Sequence, residues 1–193
     1  ALDMYDCGWR LARYACEKYD IKGPGRAGVW SPWEYPIACV DRDRGCADYL
    51  EKEAGLTVDR LSEDPKWVSD PEMGIAPITS YLLAHPDVKV MSATNFCQMA
   101  GVIPTIIDSV GKKPGDIKII AYDLTEGLID LVEKGYYHVS IDQQQYLQGF
   151  LPVVQVCLTK KYGFSGLCSD TAGGILDDTN YQYLRELVKK GYR

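Results

Sequence analysis

Five short runs of β-branched and other apolar residues recur along the chain, each followed by residues with helical spacing. That alternation limits the fold more than any other feature. The runs lie at 27–30, 56–58, 88–93, 117–122 and 138–141. Ahead of the first, Cys7, Leu11, Tyr14 and Ala15 repeat at the period of an amphipathic helix that stops at Gly23-Pro24-Gly25. Cys39, Cys46, Tyr49 and Leu50 mark a second helix ending at Gly55. Ser69-Asp70-Pro71 reads as an N-cap with proline in the first turn. It opens a helix with Ile75, Ile78 and Leu82 inward, bent at Pro77. A helix over 97–110, interrupted at Pro104, follows. Another over 125–134 has Leu128, Leu131 and Val132 inward and closes at Gly135. Helices at 144–161 and 181–190 complete the chain. Strands separated by helices imply βαβ units, because parallel neighbours need a long crossover. The expected fold is α/β, a doubly wound, mainly parallel sheet with helices on both faces.

Composition narrows the function. Of 193 residues, 46% are hydrophobic and 25% charged, which excludes disordered and fibrous chains. The net charge of −6 argues against a nucleic-acid partner, since neutralising phosphates needs clustered positive charge. No apolar run approaches the roughly 20 residues that span a bilayer. Ala1-Leu2-Asp3-Met4-Tyr5 has neither a basic n-region nor an apolar h-region, so any signal segment is expected on a longer precursor. The seven cysteines include no C-x-x-C pair, and neither His85 nor His138 stands at zinc-finger spacing, so no metal is expected. Cys7, Cys39 and Cys46 fall on apolar stripes as small hydrophobes. Cys157 and Cys168 are the pair expected to form a disulfide in an oxidising compartment.

Ligands of open α/β sheets sit beyond the carboxyl ends of the strands. The run at 88–93 leads into Asn95, that at 117–122 into Asp123, and that at 138–141 into Asp142-Gln143. After 27–30 comes a loop with Trp33 and Tyr35, then Arg42 in the first turn of a helix, while Trp67 lies in the loop after 56–58. Carboxylate, amide and guanidinium groups hydrogen-bond paired hydroxyls, and an aromatic face covers the C–H face of a sugar ring. Simpler roles compete with this. Asp123 and Asn95 also suit helix N-caps. Arg42, with Asp41, Asp43 and Arg44, also suits a solvated ion-pair face. Trp67 and Trp33 also suit plain packing, and His85 before Pro86 is a turn residue. Joint placement at one sheet edge favours a binding site of Arg42, Trp67, Asn95, Asp123 and Gln143. No G-x-S-x-G elbow, Cys–His pairing, P-loop or dinucleotide fingerprint is present, so neither catalysis nor a cofactor is expected.

The order of motifs resembles that of the type I periplasmic sugar-binding proteins of ABC transporters, whose fold is shared by the effector domains of LacI-type repressors. Asp3 to Gly8 is similar to the D-x-x-x-x-G that opens that family's C-terminal lobe, and Arg42-Asp43-Arg44-Gly45 to its R-x-x-G. Ala84-His85-Pro86-Asp87-Val88 is similar to the turn before the strand that ends in the ligand asparagine, here Asn95, with Met99-Ala100-Gly101 following. Ile119-Ile120-Ala121-Tyr122-Asp123 resembles V-V-G-F-D, Ile141-Asp142-Gln143 the strand end carrying the ligand glutamine, and 171–180 the closing segment. Departures are Phe96 for the usual aspartate, Cys46 where phenylalanine is common, and extra residues around Trp67.

The resemblance implies a ligand-binding lobe over 1–143, a hinge-crossing helix and segment over 144–173, and a closing segment with a C-terminal helix over 174–193. The family's N-terminal lobe has no counterpart in the chain. It also implies a non-catalytic clamp that closes on a sugar or polyol and meets an ABC permease outside the cytoplasm. The 144–161 helix is then expected to dock on its own domain or on a second copy as a homo-oligomer. The alternative is the effector domain of a LacI-type transcription regulator.

Overall fold

The computed structural model describes residues 3–35 and 37–192. Helix α1 (Met4–Tyr19) is capped by Asp3, whose side chain accepts from the Asp6 N–H. It is followed by β1 (Arg26–Ser31), α2 (Ala38–Lys52), β2 (Thr57–Ser62), α3 (Ile75–Ala84), β3 (Val88–Ala93) and α4 (Ile103–Ser109). The chain then runs through β4 (Lys118–Tyr122), α5 (Glu126–Glu133), β5 (Val139–Asp142), α6 (Gln145–Tyr162), β6 (Gly174–Leu176) and α7 (Tyr181–Lys189). One six-stranded sheet has the order β2-β1-β3-β4-β5-β6. Its first five strands are parallel, and β6 runs antiparallel to β5. The expected α/β class is the observed one, with β6 an addition: three residues are too few to show a strand period in the sequence.

Side-chain alternation splits the core into two layers. Along β4, Ile120 and Tyr122 join Cys7, Leu11, Cys46 and Leu50 of α1 and α2, while Ile119 and Ala121 join Ile78, Ile106, Leu128 and Val132 on the opposite face. On the first face α1 and α2 pack so closely that glycine is required at the crossing. A Cβ on Gly8 would lie 1.6 Å from the Arg42 carbonyl oxygen, and one on Gly45 would lie 2.0 Å from that of Tyr5. This crossing positions the start of α2, and with it Arg42.

Two helices begin later than the sequence suggests. Residues Pro65–Val68 and Pro71–Gly74 form short 3₁₀ turns, and Asp70 makes no side-chain cap. Regular α3 therefore starts at Ile75, which leaves Pro77 in its first turn, where no bend is needed. The 97–110 stretch likewise divides into a 3₁₀ turn at Gln98–Gly101 and α4, whose first turn holds Pro104.

Helix α6 contributes to neither core layer. None of its 18 residues is buried, and Tyr146, Phe150, Val153 and Val156 are half-exposed or more. It rests on neither face of its own sheet, and its ties to its own domain are polar: Gln148 Nε2 donates to the Gln143 carbonyl and to Thr171, and Gln155 Oε1 accepts from the Leu167 N–H. Only a shallow cleft of about 340 Å³ separates it from Met4 and residues 167–171. Cys157 and Cys168 are both exposed and are not bonded to one another. Among the described residues, no helix is long and apolar enough to cross a membrane.

Candidate functional site

Because β1 to β5 are parallel, their carboxyl ends share one edge, and the strand order changes direction between β1 and β3. Such a switch point opens a crevice where loops diverge to opposite faces. Arg42 crosses it. From α2, which follows β1, its Nη2 donates to the Thr94 carbonyl oxygen just beyond β3 at 3.0 Å. Its guanidinium lies 4.1 Å from the centre of the Tyr122 ring, a cation–π stack. Arg42 is 6% exposed, so it takes no part in a solvated ion-pair face. That role belongs to Arg44 and Asp41, paired at 2.6 Å one turn apart on the outer side of α2.

Asp43 lies under the same crevice and is fully buried. Its Oδ2 accepts from Ser31 Oγ at 2.6 Å and from Thr94 Oγ1. Burial pushes its carboxyl up to about 6, against the two hydroxyls and the Arg42 charge, which favour ionisation. Glu63, the first residue past β2, is also buried, and its Oε1 accepts from Asn95 Nδ2. Its carboxyl is pushed up to about 8, chiefly by burial. Arg42 Nε, Asp43 Oδ1 and Glu63 Oε2 are buried with no hydrogen-bond partner among the described residues. Three unsatisfied polar atoms at one edge are unusual, since buried polar groups are nearly always paired.

Asp123 caps no helix. The cap of α5 is Thr125, whose hydroxyl accepts from the Leu128 N–H at 3.1 Å. Asp123 instead adopts a left-handed backbone, φ 67°, anchored by its N–H to the Ile141 carbonyl at 2.9 Å and by Ser140 Oγ on its own carbonyl at 2.6 Å. A non-glycine residue held there by its surroundings marks a strained, positioned site. Its Oδ1 accepts from both Gln143 Nε2 and Gln145 Nε2, each at 2.6 Å. Asn95 caps no helix through its side chain either: the turn at Gln98–Gly101 has Cys97 at its N-cap and no side-chain cap bond, while the Asn95 NH₂ donates to Glu63.

Arg42, Asn95, Asp123 and Gln143 therefore meet at one edge. Arg42 touches the backbone next to Asn95 and the ring next to Asp123, and Gln143 holds Asp123 directly. Trp67 is a correction to the expected set. It is 4% exposed and belongs to the core with Ile78 and Met99, its ring close beside Gly74. An indole buried to this degree in the core packs the fold. Trp33 is held by its Nε1–H on the Leu61 carbonyl at 3.0 Å. Sequence reasoning missed Ser31, Asp43, Glu63, Thr94 and Gln145. The available signal was that each stands within three residues of a strand end or of a named site residue. The assembled edge offers a guanidinium, the half-buried Asp123 carboxylate and several amides, a donor and acceptor set that matches neighbouring hydroxyls.

No protein-family model matches the chain. The xylose/arabinose-binding protein XylF of Sulfolobus acidocaldarius is 40% identical over 85 residues, which cover 42% of this chain and 21% of that protein. A sugar-binding protein of a sugar ABC transporter from Bacillus halodurans superposes with a TM-score of 0.76 at 18% identity, covering 94% of this chain and 64% of that one. A carbohydrate transporter protein from Acidothermus cellulolyticus, solved with myo-inositol, superposes at 0.77 with 16% identity, covering 100% of this chain and 63% of that one. The chain thus spans about a fifth of the curated relative and just under two thirds of these structures. The structural likeness establishes the fold, the mainly parallel α/β architecture of periplasmic sugar-binding proteins.

Proposed function

We propose that the chain is the ligand-gripping lobe of a sugar- or polyol-binding protein that serves ABC-transporter uptake, and that it is non-catalytic. The observation that carries this reading is the convergence of Arg42, Asn95, Asp123 and Gln143 at the carboxyl edge. A buried guanidinium held by a backbone carbonyl and an aromatic face is pre-organised and loses little freedom on binding. The curated relative is named for xylose and arabinose, and its partial identity supports a sugar as ligand. A clamp of this kind encloses its ligand between two lobes. The uncovered apolar side of α6 is consistent with a second lobe, supplied by a longer protein, resting there. The site then works outside the cytoplasm, facing a permease.

The test is a sugar panel of xylose, arabinose, glucose and myo-inositol, each at tens of millimolar to allow for half a site. It is read by thermal shift and by the side-chain amide resonances of Asn95 and Gln143. A ligand that binds only the folded state raises Tm by mass action. At least one sugar is expected to raise Tm and move those resonances, and Asp123→Ala to abolish both effects. No response from any member of the panel overturns the reading.

A further inference from the structure

Glu63 borders the candidate site from beneath Asn95, and its geometry gives it a distinct task. Its backbone N–H donates to the Ser31 carbonyl at 3.0 Å, which extends the β1–β2 ladder by one residue and turns the side chain beneath Asn95. One carboxyl oxygen accepts from Asn95 Nδ2, and the other is buried without a hydrogen-bond partner among the described residues. The charged groups facing it are Arg42 and Asp43 of α2, and from the end of β3 it meets Asn95. Asp64, next along the chain, is exposed and occupied with the Lys66 N–H at 2.9 Å.

An ionised carboxylate has only acceptors, so the Asn95 amide must turn its NH₂ toward Glu63. The amide oxygen is then the end left for a ligand, and it demands a hydroxyl that donates. A protonated carboxyl carries an O–H that can donate to the amide oxygen instead. Rotating the amide by half a turn satisfies that O–H and turns the NH₂ outward as a donor.

We propose that Glu63 is a positioning residue whose protonation state selects which end of the Asn95 amide faces the ligand, so that ligand affinity changes as Glu63 titrates. This rests on the sugar-binding reading above. Burial and the neighbouring Asp43 raise the Glu63 carboxyl to about 8, with Asn95 and Arg42 pulling the other way, so the change falls in an accessible range. Asp43, raised to about 6, lies below it.

The experiment follows the Asn95 side-chain NH₂ resonances of the ligand-free chain from about pH 6 to 9.5, then measures xylose and arabinose affinity over the same range in wild type and Glu63→Gln. The Asn95 resonances are expected to move with a midpoint near that of Glu63. Wild-type affinity is expected to change by about three- to tenfold, the worth of one hydrogen bond, and that of Glu63→Gln to stay flat across the same interval. Asn95 resonances that do not titrate, or identical pH profiles in the two proteins, overturn the proposal. Resonances that titrate while no sugar binds support the role of Glu63 and overturn the sugar reading alone. The wild-type titration needs no substitution, so it decides the matter even where Glu63→Gln folds poorly.

Discussion

Gly8→Ala tests the helix crossing that places Arg42. The added Cβ would lie 1.6 Å from the Arg42 carbonyl oxygen, 2.6 Å from its carbonyl carbon and 2.9 Å from the Cys46 nitrogen, against an ordinary contact distance of 3.4 Å or more. All three atoms are backbone, so no rotamer change relieves the clash. The helices must part by more than an ångström along a buried seam that contains Cys7, Leu11, Cys46 and Leu50. Overpacking of this kind costs about 1–3 kcal/mol. Alanine's better helix propensity returns at most about 1 kcal/mol. A clash with backbone atoms alone sits at the upper end of that range, so the net loss is about 2–3 kcal/mol, a fall in Tm of roughly 4–12 °C for a chain of this size at about 2–4 °C per kcal/mol. Because the displaced atoms belong to Arg42, sugar affinity should fall with stability. Gly149→Ala is the control: it lies in exposed α6 with nothing within 4 Å of the added Cβ, and is expected to be neutral or slightly stabilising. Thermal melts of both variants, with calorimetry on Gly8→Ala, measure the difference. A Gly8→Ala protein that melts with wild type, or above it, refutes the seam argument.

Other outcomes follow from the same structure. Asp177, 1% exposed, accepts from Lys18 Nζ and Tyr14 Oη at 2.6 Å each, ties the closing segment to α1, and is held down at about 2. A carboxylate with a depressed folded pKa stabilises above its unfolded value near 3.9 and loses that contribution as pH falls through 2. Asp177→Asn should therefore lose about 2 kcal/mol at neutral pH and flatten the acid-unfolding curve between about pH 4 and 2. His138 is buried, lowered to about 4 chiefly by burial, and its Nδ1 accepts from the Ile119 N–H at 3.0 Å. The unfolded chain then binds the extra proton, so stability should decline as pH falls from about 6.5 to 4, and His138→Gln should remove that slope in urea titrations. Trp67→Phe should lower Tm by leaving a void in the core while sugar affinity stays unchanged. A loss of affinity with intact stability would return Trp67 to the ligand face.

Much of the scaffold was legible because burial on both faces of a parallel sheet imposes apolar runs, and the helices between them must carry a 3.6-residue stripe. The run at 88–93 coincides with β3, and Asn95, Asp123 and Gln143 could be placed at one edge from strand direction alone. Proline was harder to read. Pro77 and Pro104 suggest defects in long helices, whereas both sit in first turns after short 3₁₀ segments, where a missing N–H costs nothing. Trp67 shows the limit of position along the chain, since a loop tryptophan beyond a strand can face the ligand or the core with equal sequence support.

Periodicity and strand ends, properties of neighbouring residues, by themselves determined the α/β class, the shared edge and the polar character of the site. Which groups support that edge was decided only in three dimensions. Glu63 and Asn95 are 32 residues apart, Asp43 and Thr94 are 51 apart, and Arg42 and Tyr122 are 80 apart. Burial and electrostatics act through distance in space, so a carboxyl that reads as one more surface acid in the chain becomes, in the fold, the buried hydrogen-bond partner of the Asn95 amide.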